Sequence, residues 1–144
     1  MKTRTLLLLC LLLGFSVSQL SAQTLKKGAV VAVSTYEMTL NPDVSMNQFL
    51  NFYINKYIPE FEKNFPGVKE YLMWGDRGEK KNMMGSILVF ESVAARDKYY
   101  PTEDGTTTSD AVKAANEKMK AMDVELSKFV VSGKRTTYTD WVIK

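Results

Sequence analysis

The chain has 144 residues, 45% of them hydrophobic and 24% charged, with 8 Gly and 4 Pro, a balance that suits one ordinary globular domain and excludes collagen, disorder and solenoid arrays. The formal net charge is only +3, there is no His, and the sole Cys is Cys10. Ser-His-Asp and Cys-His nucleophile systems, zinc hydrolysis and His-ligated haem all require residues this chain lacks.

Residues 1–22 read as a secretory signal: Lys2 and Arg4 make a basic start, Leu6 to Leu13 an apolar core, and Ser21-Ala22 a small-residue cleavage site. The mature chain then starts at Gln23, and 23–144 forms a single domain. Cleavage removes Cys10 and two of the excess positive charges, leaving no disulfide, no reactive thiol and no thiolate metal ligand. The alternative of an uncleaved anchor is opposed by the shortness of the apolar stretch. No stable membrane anchor is expected after cleavage, and the destination is the periplasm or the extracellular space.

In chain order, residues 29–40 (AVVAVSTYEMTL) are rich in β-branched and small apolar residues and stop at Asn41-Pro42-Asp43, which predicts a strand and a turn. Ser45 suits a helix N-cap, and Met46, Phe49, Leu50, Tyr53, Ile54, Tyr57, Ile58, Phe61 and Phe65 follow at helical steps. Pro59 removes a backbone donor inside that pattern, so a kink or break near Tyr57 is expected, with Pro66-Gly67 as the end. Val68 to Trp74 and Met83 to Phe90 predict two antiparallel strands around a hairpin loop over residues 75–82.

Ser92 can cap a short helix reaching Tyr100, followed by a polar loop over residues 101–108. Within it Glu103, Asp104 and the threonines lack the alternating spacing of a calcium loop, and a lid or plain loop is expected. Ser109 can cap a second long helix whose face is Val112, Ala115, Met119, Met122, Leu126 and Phe129. Residues 130–144, with Thr136, Tyr138, Trp141, Val142 and Ile143, predict a last strand.

The order strand, helix, strand, strand, helix, strand is the split βαβ arrangement of ferredoxin-like α+β domains: a four-stranded antiparallel sheet with helices on one face. In the third predicted strand one alternating set is Met84, Ser86, Leu88 and Phe90, and the other is Met83, Gly85, Ile87 and Val89. Neither is polar enough to face water, so the sheet face opposite the helices needs a cover, and a second copy of the same sheet predicts a homodimer.

The segments IPEFEKNFPGVKEYLMWGDRG and SILVFESVAARDKYY resemble the dimeric α+β barrel superfamily, in particular antibiotic-biosynthesis-monooxygenase-like and NIPSNAP-like domains. The resemblance spans roughly residues 29–143. It implies dimerisation through the sheets and a ligand cavity between sheet and helices. It also implies that some relatives oxidise aromatic substrates without metal or flavin, binding them with Trp, Tyr, Asn and Arg. Here Trp74, Tyr36, Tyr57, Asn51 and Arg96 are the candidates. Haem-degrading relatives use an axial His, which this sequence departs from. No cofactor and no metal is expected.

Each candidate has a plainer reading beside it. Trp74 caps a pocket and stacks on a flat ligand, or plugs the domain edge. Tyr53, Tyr57 and Phe61 form a stripe at helical spacing that fits a core, with Tyr57 singled out by the break at Pro59. Tyr36 and Glu37 must point to opposite faces; Glu37 is a buried base or a solvated acid. Arg96 holds an anionic group, or forms a salt bridge with Glu91, Asp97 or another acid. There is no phosphate loop and no basic stripe, so no nucleic acid is expected. The function that follows is binding, with cofactor-independent oxidation as its enzymatic extension, of a small hydrophobic or aromatic molecule. The opposing reading is a non-catalytic envelope protein acting through homodimerisation and protein contacts.

Overall fold

The computed structural model describes residues 25–102 and 109–144. The signal over residues 1–22, the start at Gln23 and the loop residues 103–108 lie outside the described residues. Among those described, no helix is long and apolar enough to cross a membrane.

Among the described residues the elements follow in the order β1 (Val30–Leu40), α1 (Met46–Phe52), a π turn (Tyr53–Tyr57), α2 (Ile58–Asn64), β2 (Val68–Trp74), β3 (Met84–Phe90), α3 (Val93–Asp97), α4 (Asp110–Leu126) and β4 (Val130–Val142). The four strands form one sheet in the order β2-β3-β1-β4, every neighbouring pair antiparallel. Read from the other edge this is 4-1-3-2, the ferredoxin-like order that two split βαβ units produce. The expected strands are found, with their ends moved by one or two residues. The short helix after Ser92 stops at Asp97 rather than Tyr100, and Phe129 lies beyond the end of α4.

The first long helix breaks where Pro59 predicts, and the break takes the form of a π turn. Proline offers no N–H to the preceding turn, so the chain relaxes to an i→i−5 bond, Ile58 N–H to Tyr53 O, and Pro59 enters α2 in its first turn. The start of α1 is fixed by a capping box: the Gln48 N–H donates to Ser45 Oγ at 3.3 Å, and the Ser45 N–H donates to Gln48 Oε1 at 2.8 Å. Asn41 ties the preceding loop down by donating through Nδ2 to the carbonyls of Ser127 and Lys128, at 3.1 and 2.8 Å.

Register and alternation sort the side chains into two faces. On the helix side, Val142, Val30, Phe90 and Val68 form one row across the sheet, and Phe90 and Val30 are 1% and 0% exposed beneath Phe65, Tyr99, Val112, Ala115 and Met119. A second cluster, Phe49, Tyr53 and Met84 with Phe129 and Val130 against it, fills the other end of the same layer. The opposite face carries rows Trp141–Val31–Val89–Lys69, Thr139–Val33–Ile87–Tyr71 and Thr137–Thr35–Gly85–Met73. No described helix covers it, and Trp141 is 61% exposed there. Gly85 is required in this last row, since a Cβ would come within 3.0 Å of the Met73 methyl and 2.9 Å of the Ser34 carbonyl oxygen.

Candidate functional site

The helix-side row that ends the sheet is Tyr36–Met84–Trp74, placed side by side by the pairings Tyr36 with Met84 and Trp74 with Met84. Around it opens a hollow of about 310 Å³, lined by Tyr36, Glu37, Met38, Met46, Trp74, Asn82, Met83 and Met84. Three consecutive residues of β1 line it where the β1–β4 ladder shifts register between Thr35 and Tyr36, a bulge that turns the strand locally. Met46 is the first residue of α1, so the capping box sets its position. Asn82 takes a left-handed backbone, φ 64, which Asn tolerates better than most residues, as the hairpin returns to β3. Trp74, 45% exposed, forms the rim.

Behind the wall formed by Tyr36 and Met84 lies a polar group inside the apolar layer. Glu70 is 7% exposed on β2, inward-facing by parity with Val68. Tyr53, from the π turn, packs in the cluster with Phe49 and Met84 and donates its hydroxyl to Glu70 Oε1 at 2.8 Å. Burial pushes the Glu70 carboxyl up to about 7; the Tyr53 hydrogen bond opposes this and the nearby Glu62 carboxylate adds to it. Burial, and then the Glu70 carboxylate, raise the Tyr53 phenol well above its ordinary value, so the shared proton stays on Tyr53. Glu62 also supports the backbone here, because its Oε1 accepts the Glu70 N–H at 3.1 Å and so satisfies the outer edge of β2.

Other phenols surround the pair. Tyr57 stacks on Tyr53 with centroids 4.8 Å apart and reaches Asp123 Oδ1 at 3.4 Å. Burial first, then Asp123 and Glu70, raise its pKa. Tyr100 is raised by burial, then by Tyr36 and Glu70. The arrangement is an open, soft, aromatic-rimmed hollow backed by a buried carboxyl that can exchange a proton near neutral pH. Among the described residues no group of three or more His, Cys, Asp or Glu is placed to hold a metal ion.

Of the five sequence candidates, Trp74 and Tyr36 line the hollow together. Tyr57 lies one layer deeper, packed against both apolar clusters, and so combines the core role with contact to Tyr53. Asn51 does not join them: it is exposed, and its Oδ1 accepts from Asn55 Nδ2 at 2.8 Å along the outer face of the helix. Arg96 does not join them either. Its Nε donates to Asp97 at 2.6 Å and its Nη1 to Asp140 on β4, so the salt-bridge reading holds, with a partner 44 positions away added. Glu37 is exposed, as the solvated reading expects.

Glu70 and the polar role of Tyr53 escaped the sequence reading. The signal for Glu70 was present: in VKEYLMW the inward set is Val68, Glu70, Leu72 and Trp74, an acid at a core position between apolar neighbours.

No family model and no curated protein matches the chain. Among solved structures, it is similar to a dimeric protein of unknown function and ferredoxin-like fold from Bacteroides fragilis NCTC 9343, at 12% identity over 81% of this chain and 98% of that one, TM-score 0.39. It is also similar to an uncharacterized NIPSNAP-like domain protein from Burkholderia xenovorans, at 10% identity over 83% of this chain and 88% of that one, TM-score 0.42.

Proposed function

We propose that this protein binds a small, flat, hydrophobic or aromatic molecule in the hollow between Trp74, Tyr36 and the α1 start, and does so as a homodimer after export. The observation that carries the reading is the hollow itself: about 310 Å³, at the lower end of small-molecule sites, lined by four methionines, with an indole and a phenol at its rim and floor. Methionine walls adapt to varied shapes, which suits an apolar guest. Tyr36, Glu37 and Asn82 supply the few polar groups that orient one. The oxidative extension called on Asn51 and Arg96 to bind and polarise a substrate; neither lines the hollow, so the proposal is one of binding.

Dimerisation rests on the uncovered sheet face. Val31, Val33, Ile87, Val89 and Met73 are half-buried and Trp141 is exposed, making an apolar patch centred on β1 and β3 with threonines and Lys69 at its margins. Export rests on the basic, apolar and small-residue pattern of residues 1–22.

Native mass spectrometry of the purified protein tests both parts. The expected result is a dimer mass with a small apolar adduct that the Trp74→Ala variant loses. A dimer without adduct that also ignores a panel of small aromatic probes would overturn the ligand reading and leave the interaction role, and a monomer would overturn the sheet-face reading.

A further inference from the structure

The wall of the hollow has a chemical bias beyond being apolar. The sequence contains 8 methionines, and Met38, Met46, Met83 and Met84 line this one space, with Trp74 beside them. Among the described residues no Leu, Ile, Val or Phe lines it. A general apolar pocket is served by those residues; a wall of thioethers brings soft, neutral sulfur donors to one place.

From this we infer that the hollow takes a soft monovalent cation, Cu(I) or Ag(I), on its methionine sulfurs. Thioethers are poor ligands for hard ions such as Mg(II) or Ca(II), and the single carboxylate on the wall, Glu37, is too few for them. One negative charge is enough to balance a monovalent ion. The Trp74 ring adds attraction for a cation placed over its face.

The supports of the sulfurs are fixed independently of any guest. Met46 is held by the Ser45–Gln48 capping box, Met84 by its place in β3 between Tyr36 and Trp74, and Met38 by the β1–β4 ladder, where it pairs with Gly133. Met83 ends the hairpin, with its carbonyl accepting from the Gly75 N–H at 2.9 Å. Four methionines on three separate segments thus line one volume, each anchored by its own element. The inference shares the hollow with the proposed aromatic ligand but not its premise, since a metal needs sulfur and an aromatic guest needs only an apolar wall.

The test is a titration of the purified protein with silver nitrate in chloride-free buffer, followed by calorimetry and, in the Trp141→Phe variant, by the fluorescence of the remaining Trp74. One equivalent of Ag(I) should bind and quench Trp74. The Met46→Leu/Met83→Leu variant, which keeps apolar volume, should weaken Ag(I) by about tenfold or more and keep the wild-type unfolding temperature. The same ordering should hold for Cu(I) titrated anaerobically. Absence of Ag(I) binding, binding untouched by the double substitution, or equal affinity for Zn(II) would overturn the inference. Loss of 2-naphthol binding in the wild type with Ag(I) binding kept would overturn the aromatic-ligand proposal alone.

Discussion

The Tyr53 hydroxyl donates to Glu70 Oε1 across 2.8 Å, joining the π turn to the edge strand β2 inside the layer between helices and sheet. The contact traces to Pro59. Without a donor at that position the helix widens by one residue, and Tyr53 and Tyr57 stack at 4.8 Å on its inner side. A side-chain hydrogen bond is thereby available to a carboxyl that burial would otherwise leave unpaired.

Stability should depend on pH through Glu70. Its folded value, about 7, lies above the ordinary 4.5, so the fold prefers the protonated carboxyl. The Glu70 contribution is therefore fully present below about pH 4.5, falls as pH rises, and is lost above about pH 7. The difference corresponds to about 3 kcal/mol. Denaturant unfolding from pH 4 to 8 of the wild type and Glu70→Gln checks this: the wild type should lose ground relative to the variant across that window. Parallel profiles would contradict it.

Tyr53→Phe should act in the opposite sense on the carboxyl's affinity for its proton. Removing the donor takes away the one contact that lowers the Glu70 value, so its titration, followed by carboxyl-carbon NMR, should move above about 7. The variant should also lose about 1–3 kcal/mol of stability for the unpaired carboxyl at neutral pH. An unchanged titration would show that the hydrogen bond is not made.

Arg96 should prove a structural residue. Its guanidinium spans Asp97 and Asp140, and Asp140 Oδ1 is buried without a hydrogen-bond partner, so Arg96 is the charge that makes the Asp140 carboxylate tolerable. Arg96→Ala should destabilise by about 1–2 kcal/mol, and adding Asp140→Asn should restore part of it. The readout is a double-mutant cycle by thermal unfolding. Additive losses would contradict the coupling.

The proposed dimerisation should fail when charge enters the open sheet face. Val33 sits at its centre, between Thr139 on one side and Ile87 on the other. Val33→Glu should turn the dimer into a folded monomer by light scattering, weakening association by about a hundredfold or more, with little change in circular dichroism. A dimer that persists would place the interface elsewhere.

Particular residues show how far the sequence could be read. Alternation in Met83 to Phe90 was enough to separate Phe90 from Ile87 and Val89, because strand periodicity is local, but which set meets the helices is settled by packing. Pro59 announced a break, but its π form depends on which carbonyl the next free N–H can reach, and that is settled by packing. Asn51 was separable from the site by helical phase alone, since Phe49, Phe52 and Tyr53 define the buried side. Arg96 and Asp140 were not legible: their pairing depends on how α3 lies over β4, 44 residues on. Trp74 and Tyr36 met in the hollow because both end inward-facing rows against Met84, a register that hairpin geometry sets and residue spacing does not.

The most direct measurement of the central claim is methyl NMR of the protein labelled at methionine Cε, titrated with 2-naphthol. The hollow's Met38, Met46, Met83 and Met84 should shift on binding, while Met73, on the opposite sheet face, and the core residues Met119 and Met122 should not. Shifts led by Met73 would move the ligand to the open face, and shifts led by Met119 and Met122 would move it into the α4 layer; either would contradict the assignment of the hollow as the binding site.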